Sequence, residues 1–159
     1  MKLTSKKTLV VDAEGVIGSA LNDCLVPIYG AVFGTTRREQ NRSDFVKIDL
    51  TNSFNGLKKI VSICDVTFFC AGTTKALDRE NNRAGSYSVK VTNTLKIVKI
   101  LQYLDVFVVW LSSNTVFSGK RPFCGLNEPY MPFFEYGRQK VEAEQEILKL
   151  GSVAIVRLT

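Results

Sequence analysis

The chain has 159 residues, 45% of them apolar and 23% charged, with a formal net charge of +6 and no histidine. That length supports one domain with a core large enough to need no disulfide or metal staple. No run of about 18 apolar residues could span a membrane, and no apolar stretch follows the first lysines as a signal peptide would require, so a cytoplasmic protein is expected.

Short β-branched runs alternate with helical patterns. The first strand is expected at Thr8 to Val11, followed by a helix with Val16, Ile17, Ala20, Leu21, Cys24 and Leu25 on its apolar face. Pro27 lies just past its end. A second strand reads Ala31 to Phe33 and stops at Gly34; a third reads Phe45 to Ile48. A short helix follows over Phe54 to Ile60. Val66 to Phe69 is an unbroken apolar run, as expected of a central parallel strand. A polar loop covers Thr73 to Ser86, and Val91, Leu95, Val98 and Leu101 then share one helix face. The fifth strand, Val106 to Leu111, is the most hydrophobic segment. An irregular stretch from Ser112 to Glu135 holds all prolines but Pro27, which marks it as an ordered functional loop. A helix over Tyr136 to Leu150 is stopped by Gly151, and Val153 to Leu158 is a sixth strand. This alternation predicts an α/β fold: one domain, 1–159, with a doubly wound parallel sheet of about six strands, of the Rossmann type.

The residue inventory removes several chemistries. Without histidine there is no Ser–His–Asp triad and no imidazole base. The four cysteines, Cys24, Cys64, Cys70 and Cys124, form no C-x-x-C pair, so no metal site is expected and the thiols read as small core residues. Basic residues are scattered rather than set in a stripe with aromatics, which argues against nucleic acid and for a phosphate-bearing small molecule.

Gly15-Val16-Ile17-Gly18 stands between the first strand and first helix, where glycines let the backbone approach a pyrophosphate. Thr36, Arg37 and Arg38 close the second strand. Hydroxyls and arginines there, with no acid among them, favour the 2′-phosphate of NADP over the 2′-hydroxyl of NAD. Asp49 and Leu50 close the third strand and are candidates to face the adenine. Tyr136 and Lys140 lie at i and i+4 on one helix face. A phenol is a poor acid or base at neutral pH until a nearby cation favours its phenolate. Ser112 and Ser113 follow the most buried strand at the carboxyl edge of the sheet, where ligands bind in such folds.

In this order these residues resemble the extended short-chain dehydrogenase/reductase family, in its sugar-nucleotide epimerase and reductase group. The nearest likeness is to dTDP-4-dehydrorhamnose reductases. Gly15 to Gly18, Asp49-Leu50, Cys70-Ala71-Gly72, Ser112 to Gly119, and Tyr136-x-x-x-Lys140 all fall where that family places its motifs. The resemblance implies a catalytic Ser113, Tyr136 and Lys140. The tyrosine would pass a proton to or from a substrate oxygen, the lysine would hold the nicotinamide ribose, and the serine would bond the substrate oxygen. It also implies cofactor contacts from Gly15, Val16, Ile17, Gly18, Thr36, Arg37, Arg38, Asp49, Leu50, Cys70, Ala71 and Gly72. The expected cofactor is NADP, with NAD as the alternative.

Three departures stand out. Asp12 occupies the place of the first glycine, with Glu14 adding a second carboxylate. Lys90 stands where the family usually has asparagine. Family members also continue well beyond Thr159 with a part that closes over the sugar, so that substrate domain is expected to be absent from this chain. Two functions follow as expectations. The first is an NADP-dependent oxidoreductase or epimerase domain for a nucleotide sugar, with Tyr–Lys–Ser catalysis of hydride and proton transfer. The second is a non-catalytic nucleotide-binding or regulatory protein of the same fold. Neither nucleic acid nor membrane is expected as a partner, and a homodimer is left open.

Overall fold

The computed structural model describes residues 6–39, 41–50, 54, 57–72 and 87–159. Six parallel strands form one sheet in the order β3-β2-β1-β4-β5-β6. They are β1 (Lys7–Val11), β2 (Ala31–Thr36), β3 (Phe45–Lys47), β4 (Val66–Phe69), β5 (Phe107–Ser113) and β6 (Val153–Leu158). The helices are α1 (Val16–Leu25), α2 (Leu57–Val61), α3 (Thr94–Tyr103) and α4 (Glu135–Leu148). A π-helical turn, Ser88–Asn93, leads into α3, and a 3₁₀ turn, Asn114–Val116, follows β5. The expected doubly wound sheet is what forms. Its strand order reverses between β1 and β4, which opens a crevice at the carboxyl ends of those strands.

The core gathers Leu9 and Val11 from β1, Phe69 from β4, Val108 and Trp110 from β5, and Ile97, Val98 and Leu101 from α3. Each is at most 2% exposed. Fully burying one such side chain is worth about 1.5–3 kcal/mol. Alternate positions of β4 and β5 are fully buried and the positions between them are largely half-buried, so both strands read as mostly apolar runs.

Several boundaries differ from the sequence reading. β2 does not stop at Gly34 but continues to Thr36. A Cβ on Gly34 would lie 2.7 Å from the Phe45 ring and 2.8 Å from Ala13, so this glycine admits β3 and the β1 turn rather than ending the strand. β5 runs on through Ser112 and Ser113, which are therefore strand residues and not a turn beyond it. The apolar face expected of α1 is also corrected. Val16, Ile17, Ala20 and Cys24 are exposed, while Gly18 and Leu25 are buried and Leu21 half-buried. A Cβ on Gly18 would come within 2.0 Å of the Asp12 carbonyl oxygen, so this bare backbone sets the packing face. Of the four thiols only Cys64 is buried; Cys24 is exposed and the other two are half-buried. The loop expected over Thr73 to Ser86 lies outside the described residues.

Candidate functional site

The turn after β1 shapes the amino end of α1. Asp12 has φ +65°, a left-handed conformation that glycine adopts freely and aspartate tolerates. Its amide donates to Thr35 Oγ1 at 2.9 Å, its carbonyl accepts from the Gly15 amide at 3.0 Å, and Ala13 N donates to Thr35 O at 3.0 Å. Gly15 is the N-cap of α1, and no side chain bonds that cap. The first turn of the helix therefore presents bare amides beside the crevice, in the manner of an anion site. Burial pushes the Asp12 carboxyl up, Arg37 pulls it down, and Glu14 pushes it up again.

At the end of β2, the Thr36 hydroxyl donates to Glu14 Oε2 and accepts from the Arg38 amide at 3.1 Å. Thr36 is buried, whereas Arg37 and Arg38 are exposed at the strand end. Asp49 and Leu50 are half-buried beyond β3, and the Leu50 carbonyl accepts from Asn93 Nδ2 at 2.7 Å. Residues 70–72 leave β4 at the other wall of the crevice. Burial and then the nearby Asp12 push the Cys70 thiol up to about 12, which leaves it a neutral, unreactive side chain. Among the described residues, no atom beyond its chain neighbours lies within 4 Å of a Cβ built on Gly72.

The carboxyl ends of β4, β5 and β6 enclose a cavity of about 310 Å³. It is lined by Ile17 from α1, Cys70 to Gly72, Leu111 to Asn114, Tyr136 and Lys140 from α4, and the last two residues of the chain. Ser113, Tyr136 and Lys140 thus meet at one cavity, together with Ile17, Cys70, Ala71 and Gly72 from the expected cofactor set. Val16, though on the first turn of α1, is 85% exposed and does not line it. Thr36, Arg37, Arg38, Asp49 and Leu50 lie apart from the cavity, toward the β2–β3 side of the sheet.

Gly137 brings α4 close to the serines. A Cβ there would lie 2.2 Å from the Thr115 carbonyl oxygen, so only glycine lets the helix press on the 3₁₀ turn. Ser113 caps that turn, its Oγ accepting from Thr115 N at 3.3 Å and from Thr115 Oγ1 at 3.1 Å. One turn along α4 from Tyr136, Lys140 is 5% exposed. Its Nζ donates to the Leu111 carbonyl at 2.7 Å and lies 4.1 Å from the Trp110 ring centroid. Burial, with a further push from Lys90, brings the Lys140 ammonium down to about 8, opposed by Glu144.

A second buried network was not read from the sequence. Glu144, fully buried, accepts from Arg157 NH2 at 2.7 Å and from Arg157 Nε, while Tyr130 Oη donates to it at 2.7 Å. Burial alone would raise the Glu144 carboxyl, but bonds from Arg157 and Tyr130 hold it below its usual range. The pair ties α4 to β6, and Tyr130 ties both to the 117–134 loop. A signal was present: Tyr136, Lys140, Ala143, Glu144 and Ile147 form one stripe at helical spacing. Two charges inside such a stripe mark a buried polar cluster.

The family described as the RmlD substrate binding domain matches residues 6–159. The chain belongs to that family. Comparison with curated proteins returns no match. Among solved structures, dTDP-4-dehydrorhamnose reductase from Bacillus anthracis, in complex with NADP, is similar at 23% identity and a TM-score of 0.77 over 97% of this chain and 53% of that one. A short-chain dehydrogenase/reductase superfamily protein from Agrobacterium tumefaciens, with bound NAD, gives 20% identity and 0.77 over 95% of this chain and 48% of its own. UDP-glucuronic acid 4-epimerase from Bacillus cereus, in complex with UDP-glucuronic acid and NAD, gives 19% and 0.81 over 95% and 55%. This chain spans about half the length of each. The expected likeness to the extended dehydrogenase/reductase group therefore holds, and at these identities the structural matches speak for the fold.

Among the described residues no helix is long and apolar enough to cross a membrane.

Proposed function

We propose that residues 1–159 form the NADP-binding domain of an oxidoreductase or epimerase acting on a nucleotide sugar. The observation carrying this reading is the convergence of Ser113, Tyr136 and Lys140 on one cavity at the carboxyl edge of the sheet, beside the glycine-lined amino end of α1. The unbonded amides at the amino end of α1 suit the phosphates of a dinucleotide, while Gly15 and Gly18 make room for Asp12 and the turn after β1. Solved relatives in complex with NADP, NAD and a UDP-sugar support the same reading.

When bound, the nicotinamide supplies or accepts the hydride. The chain's own residues move and hold the proton. Tyr136 Oη exchanges it with the substrate oxygen, and Ser113 Oγ donates a hydrogen bond to that same oxygen. Lys140 has its ammonium fixed by Leu111 and Trp110, with further N–H donors left for a ribose hydroxyl. A cation in this low-dielectric position also favours the phenolate of Tyr136.

Asp12 favours a second reading, a nucleotide-binding or regulatory protein without turnover. Its carboxylate stands where a pyrophosphate would approach α1. The test is calorimetric titration of the 159-residue chain with NADP and NAD, followed by a hydride-transfer assay over nucleotide sugars. Binding with turnover lost in Tyr136→Phe supports the enzyme. Binding without turnover is what both readings expect of a chain about half the length of its relatives, and a folded chain that binds neither cofactor overturns both.

A further inference from the structure

The segment before α3 has an unusual shape. Residues 88–93 form a π-helical turn, with i→i+5 backbone bonding, a form frequent at functional sites. Thr94 Oγ1 donates back to the Val89 carbonyl five residues earlier, at 3.0 Å. The turn buries Lys90, Val91 and Asn93 together. Lys90 is 5% exposed, and its Nζ lies 4.8 Å from the centroid of the Tyr136 ring. Lys140 Nζ lies 6.0 Å from the same centroid. Two buried ammonium groups therefore serve one phenol. Burying a second lysine near the first is expensive, since each is desolvated and they repel. An aromatic face offsets part of that cost.

We propose that Lys90 is a positioning residue for Tyr136: held by the π-helical turn against the phenol ring, it fixes the ring's orientation and, with Lys140, favours the phenolate. The proposal rests on Tyr136 being the proton-transfer group, but the ring can be read without cofactor or substrate. Failure of cofactor binding would therefore not resemble failure here.

Among the described residues, several elements bring charged or titratable groups near the ring. The π-helical turn contributes Lys90. The ring's own helix contributes Lys140 and, a turn further on, Glu144, whose carboxylate is engaged by Arg157. Glu135 and Arg138, one and two positions from the tyrosine in sequence, pair with each other at 3.2 Å. The end of β4 contributes Cys70 across the cavity, a thiol held neutral. β5 and the 3₁₀ turn contribute Ser112, Ser113, Asn114 and Thr115, none of them charged. α3 carries Lys96 and Lys99, both exposed. Lys90 and Lys140 are thus the buried cations that bear on the phenol.

The experiment is a pH titration of the full 159-residue chain labelled at the tyrosine ζ carbon, with the Tyr136 signal assigned by its loss in Tyr136→Phe. Lys90→Met and Lys90→Gln should raise the Tyr136 midpoint by about one pH unit, the low end for removing a cation within 4–6 Å. Lys90→Arg should return it to the parental value. A parental midpoint in the folded Met and Gln variants overturns the proposal, as does an Arg variant that moves as far as Met. A reciprocal measurement covers the case in which neither neutral variant folds. Coupling between two sites is mutual, so Tyr136→Phe, which is nearly isosteric, should lower the midpoint of Lys90 read at its labelled ε carbon. An unchanged Lys90 midpoint overturns the proposal equally.

Discussion

Asp12 and Gly15 share one small space at the amino end of α1: a Cβ on residue 15 would lie 2.6 Å from Asp12 Oδ2. The carboxylate therefore stands over the bare helix end, yet no side chain bonds the N-cap. At about 5 Å and an effective dielectric near 20, a carboxylate and a phosphate repel by roughly 3 kcal/mol. We expect Asp12→Gly to tighten NADP binding at least about tenfold, and Asp12→Asn to recover part of that gain. Asp12→Gly should also raise the unfolding free energy by up to about 1 kcal/mol, because φ +65° suits glycine. Calorimetry and chemical denaturation read both effects. Unchanged affinity in two folded variants would dismiss the repulsion.

Cofactor choice should depend on Arg37 and Arg38, which stand exposed at the end of β2 while Thr36 is engaged by Glu14. A charge-assisted bond to a 2′-phosphate contributes about 1.5–3 kcal/mol, or roughly tenfold or more in affinity. Arg38→Ala and Arg37→Ala should each narrow the NADP-to-NAD affinity ratio, and the double variant more. Titrations at fixed salt measure it. A ratio near one in the parent chain would remove these arginines from the site.

The sequence carried the fold further than the site. Strand β4 and the core of β5 were legible because they are short β-branched and aromatic runs with alternate positions fully buried. The α1 face was misread because its packing centre is Gly18, a residue with no hydrophobicity to detect. That Tyr136 and Lys140 share a helix face was legible from their spacing, which by itself says little about chemistry. The position of Lys90 under the same ring was not, because it depends on a π-helical turn and on tertiary contact between two segments 46 positions apart in the numbering. The left-handed backbone of Asp12 was hidden for the same reason: aspartate does not demand it, and the turn imposes it.

Lys140 should leave a mark on stability as a function of pH. Its ammonium is drawn down from 10.5 to about 8 in the folded chain, chiefly by burial. Below about pH 8 both folded and unfolded chains hold that proton, and the folded state bears the full penalty. Between about 8 and 10.5 the unfolded chain binds more protons, so the Lys140 contribution to stability rises with pH. The full swing is on the order of 3 kcal/mol. Denaturation curves across this range, compared with Lys140→Met, isolate it. Parallel curves for the two proteins would mean that Leu111 and Trp110 fully compensate the burial.

Gly137 sets the distance between α4 and the serine-bearing end of β5. Adding a methyl at 2.2 Å from the Thr115 carbonyl and 2.9 Å from Pro132 Cβ must displace the helix or the turn. Overpacking of this kind costs about 1–3 kcal/mol. Gly137→Ala should lose that much stability and, if the proposed chemistry holds, lose turnover more than cofactor affinity, since Tyr136 and Ser113 move apart. Full stability in Gly137→Ala would show that the contact yields freely.

Glu144 and Arg157 form the test case for what a buried ion pair does in this fold. Glu144 is fully buried and Arg157 is 19% exposed at its side chain, so the pair is poorly screened by water. Removing one partner strands a desolvated charge: Glu144→Leu leaves the guanidinium without its carboxylate, and Arg157→Met leaves the carboxylate with the Tyr130 hydroxyl as its donor. Each single variant should lose about 3–5 kcal/mol, whereas the double variant should lose far less than the sum. The interaction spans α4, β6 and, through Tyr130, the loop of 117–134, so the single variants should also loosen that loop toward proteolysis. The double variant restores charge balance but not the bond to Tyr130. It should therefore regain stability while the loop stays more readily cleaved than in the parent. Additive losses in the cycle would show that the pair is dispensable and that packing alone joins the last helix to the last strand.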